Sequence, residues 1–275
     1  MIRDVRPSAV AGSWYPGNAA RLAEAVDAHL AAASESARSC PRAIVAPHAG
    51  LLYSGPVAAH AYRPVGPCAY SAAVLVGPSH FVGFDGVSIW ARGAWETPYG
   101  AVPVADQLAA AIAAASEEIV EYPAAHEREH SLEMQLPFLI RLLPGVAIVP
   151  LVMGYQRRAT AFALGDALAR AVRERPGDGV LLVASSDLSH YEDAAVAARL
   201  DAVVVRHVEA LDPDGLMDAL DREPRHACGG GPMVAVLRAA AQLGCTEARV
   251  LRYADSGDVS GDKSSVVGYM AAAIW

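Results

Sequence analysis

"AVLVGPSHF", residues 73–81, runs through four apolar residues to a Gly-Pro turn and closes on a histidine. It reads as a short buried strand whose following loop carries an imidazole. The pattern recurs in "AIVAPHAG" at 43–50 and in "GVLLVASSDLSHY" at 179–191. Apolar runs without polar alternation belong to strands covered on both faces, as in parallel sheets sandwiched by helices. The carboxyl ends of parallel strands share one edge, and ligands bind in the crevice there. His48, His80 and His190 therefore converge if their strands run parallel.

The rest of the chain extends this pattern. Further strands are expected over 86–91, 146–154, 247–255 and 264–275, with a turn or hairpin at 95–104. Helical spacing predicts helices over 18–34, 105–116, 159–174 and 193–210, another from Gly229 to 243, and helical turns over 54–62 opening at Ser54. Pro137 should kink or split the apolar segment 130–145. Strands and helices alternate without a Gly/Ser-rich linker, a charge block or a fixed repeat. The expectation is a single α/β domain over 1–275, a three-layer sandwich with a mainly parallel or mixed central sheet and helices on both faces.

Composition narrows the function classes. Hydrophobic residues make up 53% of the 275 residues and the formal charge is −8, so a grip on nucleic acid or an anionic membrane is not expected. No segment has the uninterrupted apolar length of a membrane span, and the first residues lack the apolar core of a signal peptide. Cys40, Cys68, Cys228 and Cys245 form no CxxC or dense framework, which predicts a reduced, cytoplasmic protein. Cys40, Cys68 and Cys245 read as small buried hydrophobes.

Neutral imidazoles are metal ligands when a neighbouring group orients them, and a His48–His80 pair wants a third ligand. The candidates are Cys228 in "HACGGGP", Asp187 in "SSDLSH" and Glu133 in "EHSLE". Cys228 stands out through its glycine run at a helix start, where the helix N-terminus should lower the thiol pKa. Asp187 and His190 are spaced to share a pocket and handle a proton. "SSDLSH" lacks the GxSxG elbow of a serine hydrolase, and "HEREHSLE" lacks the HExxH of a zincin. His130 and Glu133 would share a helical face as supports for the ligands.

Six ordered segments carry a resemblance: "AGSWYP" (11–16), "APHAG" with "YSG" (46–55), "GPSH" (77–80), "EHSLEMQLPFL" (129–139), "SSDLSHY" (185–191) and the Cys-Gly-x-x-Pro of 228–232. The chain resembles the MEMO family, called AmmeMemoRadiSam system protein B in bacteria and archaea. That family is similar to the LigB-type extradiol dioxygenases, which implies a LigB-like fold with a site at the sheet edge. The resemblance implies His48, His80 and Cys228 as metal ligands and His190 as an acid/base. It implies Fe(II), with copper or zinc as alternatives favoured by a thiolate. It also implies association with radical SAM and AMMECR1-domain proteins. Leu51 departs from the aromatic that many members carry after "PHAG", which bears on pocket shape.

Three functions follow as expectations. The first is a redox protein acting on a small molecule in the sheet-edge cleft, with Trp14, Tyr53 and Tyr191 lining the pocket. The second is a non-catalytic module that holds a peptide or protein partner in the same cleft. The third is metal-assisted hydrolysis with His190 as base.

Overall fold

The computed structural model describes residues 5–36, 38–175 and 179–275, so the first four residues of the expected domain lie outside it. Twelve strands form: β1 (Val5–Arg6), β2 (Ala43–Ala46), β3 (Ala72–Pro78), β4 (Val87–Ile89), β5 (Ala94–Thr97), β6 (Gly100–Pro103), β7 (Ile119–Val120), β8 (Ala147–Met153), β9 (Val180–Ser185), β10 (His190–Glu192), β11 (Ala248–Asp255) and β12 (Val266–Ile274). Nine of them build the main sheet in the order β10-β12-β2-β9-β3-β8-β4-β7, with β11 paired to β12. The sheet is mixed. β2, β9, β3 and β8 are parallel, whereas β12 runs antiparallel to β2 and β4 antiparallel to β8.

Strands β2, β3 and β9 are buried along their whole lengths, as unalternating apolar runs require. Helices Arg158–Arg173, Ala194–Glu209, Pro213–Arg222 and Gly230–Gln242 pack together on one side of the sheet. Helices Ala19–Ala32, Leu51–Tyr62 and Leu136–Leu142 pack on the other, completing the three layers. Tyr62 and Phe138 stack between two of these helices with ring centroids 5.2 Å apart. Each large side chain buried in this way contributes about 1.5–3 kcal/mol of hydrophobic stabilisation.

Several expectations shift in detail. The helix expected from Ser54 begins at Leu51, and the Ser54 hydroxyl instead donates to the Ala49 carbonyl. Pro137 splits the apolar segment into a 3-10 turn at Glu133–Gln135 and a helix that starts at Leu136. The hairpin β5–β6 is present, but it joins β1 in a separate three-stranded sheet.

The cysteine reading needs a correction: Cys40 and Cys68 form a disulfide rather than acting as buried apolar fillers. Cys40 lies just before β2 and Cys68 just before β3, so the sheet brings their loops together at its amino edge. Only Cys245 has the buried character expected of all three. Among the described residues no helix is long and apolar enough to cross a membrane.

Candidate metal centre at the carboxyl edge

The three histidine-bearing strands are immediate parallel neighbours in the order β2-β9-β3. Their carboxyl ends deliver His48 and His80 to one edge, and the chain leaving β9 carries His190 into β10, which pairs with β12 on the far side of β2. His48 is buried and His80 partly exposed, and their rings lie 5.2 Å apart, edge to face.

Hydrogen bonds fix which nitrogen each ring offers. The Ser185 hydroxyl spends its proton on the Ser131 carbonyl at 2.6 Å, so towards the His48 Nδ1, 2.9 Å away, it acts only as an acceptor. His48 then carries its proton on Nδ1 and presents a bare Nε2. His80 does the same by another route: its Nδ1–H donates to Glu129 Oε1 at 2.8 Å, while its backbone N–H donates to Oε2 at 2.6 Å. Burial and the neighbouring His80 charge pull the His48 pKa down to about 3, so the ring is neutral at neutral pH.

Cys228 joins this pair. Its sulfur lies 3.2 Å from His48 Nε2, and its backbone N–H donates to the Asp187 carbonyl at 3.2 Å. The ligand atoms of His48, His80 and Cys228 all fall within 4.8 Å of one another. Gln156 clamps the loop, donating to the Cys228 carbonyl at 2.6 Å and accepting from the Gly231 N–H at 2.7 Å. The thiol pKa, however, runs opposite to the expectation. Burial and the Asp187 charge push it up, because Cys228 precedes the helix Gly230–Gln242 in an enclosed pocket where the helix N-terminus alone is outweighed.

The other expected residues divide by role. His190 donates from Nδ1 to the Leu188 carbonyl at 2.8 Å, which leaves its Nε2 free. Asp187 does not orient that ring: its Oδ1 accepts the backbone N–H groups of His48 at 2.7 Å and Ala49 at 3.3 Å, and burial raises its pKa. His130 stacks on His80 with centroids 4.5 Å apart and touches Trp14 at 4.3 Å. Its Nδ1 is buried without a hydrogen-bond partner, 3.6 Å from Glu129. Burial, above all, lowers its pKa to about 4.

Glu133 belongs elsewhere. It accepts from Arg6 at 2.6 Å, Ser8 at 2.7 Å, Tyr15 at 2.7 Å and the backbone N–H groups of Ala9 and Val10. Burial alone would raise its carboxyl, but Arg6 and these hydrogen bonds hold it below the usual range. Glu133 thus pins the loop that presents Trp14, and Glu129 is the carboxylate that holds the His80 ring.

Trp14, Tyr53 and Tyr191 are 39%, 40% and 78% exposed. Trp14 packs on His130, and Tyr191 packs on His190 at 5.7 Å with its backbone in the left-handed region at φ 61°. Tyr53 lies in the first turn of the helix Leu51–Tyr62. Sequence reasoning missed Glu129, Ser185, Gln135 and Gln156. Gln135 donates to Ser185 at 2.7 Å and to the Pro47 carbonyl at 3.1 Å, so it braces the His48 loop from below. Glu129, Gln135 and Ser185 lie inside the quoted motifs "EHSLEMQLPFL" and "SSDLSHY", but their hydrogen-bonding roles are not read from them.

Comparison with known proteins settles the family. A family profile described as Memo-like protein matches residues 6–273. The chain belongs to the Memo family. The MEMO1 family protein of Thermotoga petrophila is 38% identical over 281 residues, covering 98% of this chain and 99% of the relative. That of Methanothermobacter thermautotrophicus is 38% identical, with 96% and 98% covered. The Methanosarcina acetivorans relative is 39% identical, with 98% of each chain covered. Both chains are thus spanned nearly end to end, so the Memo resemblance carried by the six sequence segments extends over the whole fold.

Proposed function

We propose that this Memo family chain binds a transition metal on His48, His80 and Cys228, Fe(II) first with copper or zinc as alternatives, and with iron or copper acts as an oxidoreductase on a small molecule. One observation carries the reading: Ser185 and Glu129 lock two imidazoles into the same tautomer, leaving two Nε2 lone pairs beside one sulfur. A set of two nitrogens and one thiolate suits iron, copper or zinc better than a hard cation. The orphaned Nδ1 of His130 beside the set is a further sign that the pocket is built around a polar guest.

When bound, iron or copper would supply a Lewis-acidic, redox-active centre and zinc a Lewis-acidic one. The protein's own groups do the rest. His190, with Nδ1–H committed to the Leu188 carbonyl, takes or gives a proton at Nε2. Asp187 holds the His48 and Cys228 loops in register through its carboxylate and its carbonyl. Trp14 and Tyr191 form the aromatic wall of the cleft. A reducing, cytoplasmic setting would keep the Cys228 thiol available, while the Cys40–Cys68 disulfide departs from the fully reduced protein expected.

The test is metal content after anaerobic purification of the wild type and of His48→Ala, His80→Ala and Cys228→Ala. Loss of metal in each variant is expected; equal content in all four overturns the site. Oxygen consumption with catechols separates oxidation from metal-assisted hydrolysis, which would leave oxygen untouched. A second reading, a cleft that holds a peptide, is favoured by the exposed aromatics Trp14, Tyr53, Phe81 and Tyr191. It requires partner binding to survive the metal-site substitutions and to fail in Trp14→Ala.

A further inference from the structure

The amino edge of the sheet holds a second chemistry-bearing cavity. It measures about 380 Å³, and its walls include Cys40, Cys68, Cys245, Arg38, Arg42 and Trp275. β3 alone spans seven residues, so this cavity lies about 20 Å from the His48–His80–Cys228 set. Cys40 and Cys68 are bonded to each other, and Cys245 is a free thiol in the same cavity. Cys40 is exposed, Cys68 half-buried and Cys245 8% exposed.

Three sulfurs around one small space make a different object from a structural disulfide. Cys245 shares the cavity wall with the bridge, so the bonded pair has a third sulfur in its surroundings. Thiol–disulfide exchange needs an attacking thiolate, an accessible sulfur and a leaving sulfur. Here Cys40 is the accessible sulfur, Cys68 the leaving one and Cys245 a resolving thiol. Arg38 and Arg42 add positive charge; Arg38 pairs with Glu247 at 2.8 Å, while Arg42 has no acidic partner among the described residues. Burial raises the Cys245 thiol pKa while Arg42 and Arg38 pull it the other way, and positive charge in a cleft raises the local concentration of anions. The volume suits a small molecule rather than a protein segment.

We propose that this cavity is a thiol–disulfide exchange site whose co-substrate is a small, negatively charged thiol and whose third sulfur is Cys245. The incoming thiolate bonds to Cys40 Sγ as the Cys40–Cys68 bond breaks. Cys68 leaves with the electron pair and takes a proton from solvent. Cys245 gives up its proton, attacks Cys40 Sγ and expels the small thiol. The result is a Cys40–Cys245 disulfide, a Cys68 thiol and the thiol returned, with no net oxidation.

The experiment treats the folded, full-length chain with mercaptosuccinate or with neutral 2-mercaptoethanol at matched thiolate concentration. Samples are quenched with N-ethylmaleimide, and linkages are mapped by peptide mass spectrometry. The expected result is a time-dependent Cys245 disulfide to Cys40 or Cys68, about tenfold faster with mercaptosuccinate. In Arg42→Ala the advantage of the charged thiol should shrink. In Cys245→Ser no new linkage should form, because the released Cys68 thiol re-attacks Cys40 and restores the original bridge. Cys245 staying reduced while Cys40–Cys68 remains the sole linkage until denaturation overturns the proposal, and so does an equal rate for the two thiols. Circular dichroism on each variant confirms that the fold is intact.

Discussion

Glu129 and Glu133 stand four residues apart, both fully buried, and the structure gives them opposite duties. Glu129 takes four donors on two oxygens: the His80 backbone and ring, and the backbone N–H groups of His130 and Ser131, both at 2.9 Å. Burial works to raise its pKa, yet these hydrogen bonds and the His80 charge bring it down to about 2. In Glu129→Gln the amide oxygen keeps the ring and the two N–H groups on the Oε1 side. Its NH2 then faces the His80 backbone N–H, and one buried donor is orphaned at a cost of about 1–3 kcal/mol. The ring also loses the anionic partner that raises its basicity, and such losses weaken metal binding 10- to 100-fold, about 1.4–2.7 kcal/mol. Glu133→Gln instead strips the buried Arg6 of its partner, at about 3–5 kcal/mol of stability, without touching a metal ligand. Urea unfolding of the metal-free proteins and chelator-competition titration with Zn(II) measure the two quantities separately. Glu129→Gln should bind at least tenfold more weakly with a moderate loss of stability. Glu133→Gln should lose more stability and stay within twofold of wild-type affinity. Wild-type affinity in a folded Glu129→Gln, or an equal loss in both variants, would falsify the division of labour.

Other perturbations follow from the same geometry. Asp201 is buried, accepts from the Ser189 N–H and the Tyr253 hydroxyl, and has a pKa raised by burial. Its stabilising contribution is complete below the unfolded carboxyl value and is lost as pH rises through the higher folded value, so Asp201→Asn should flatten the decline in urea midpoint above pH 4. Gln156→Ala frees the Cys228 carbonyl and the Gly231 N–H; the thiolate-to-metal charge-transfer band of the Co(II) form should shift while the fold survives. An unchanged band would show that the loop holds itself. Cys40→Ser opens a loop with a sequence separation of 28 and should lower unfolding stability by about 3.5 kcal/mol, read by denaturant midpoint in both redox states.

The parts legible in the sequence share a physical cause. β2, β3 and β9 announce themselves because burial on both faces forbids polar alternation, and their histidines fall at one edge because neighbouring parallel strands end together. Cys228 shows through its glycines: a Cβ on Gly229 would sit 2.5 Å from the Ser185 carbonyl, so only glycine lets this loop pass beneath the site. What stayed hidden depends on contacts between distant segments. Glu129 meets His80 across 49 residues, and nothing local distinguishes it from Glu133, which meets Arg6 across 127. Cys40 and Cys68 pair because two loops meet below the sheet, a closeness that no spacing rule supplies. The two-residue β1 was equally invisible, since its partner β5 lies far along the chain.

The order β2-β9-β3 has one more consequence. Neighbouring strands lie about 4.8 Å apart, so the backbones that carry His48 and His80 stand about 9.6 Å from each other, with β9 between them. The two rings lean inward over the end of that middle strand until their centroids are 5.2 Å apart. Beneath them β9 offers Ser185, a side chain short enough to leave the space above it open. The separation of the backbones that anchor the two imidazoles is therefore a dimension of the sheet lattice itself. Altering it means changing the spacing of three hydrogen-bonded strands, whereas altering the third ligand means moving only one glycine-lined loop. A scaffold of this kind holds two of the proposed ligands at constant separation and leaves the third as the adjustable arm.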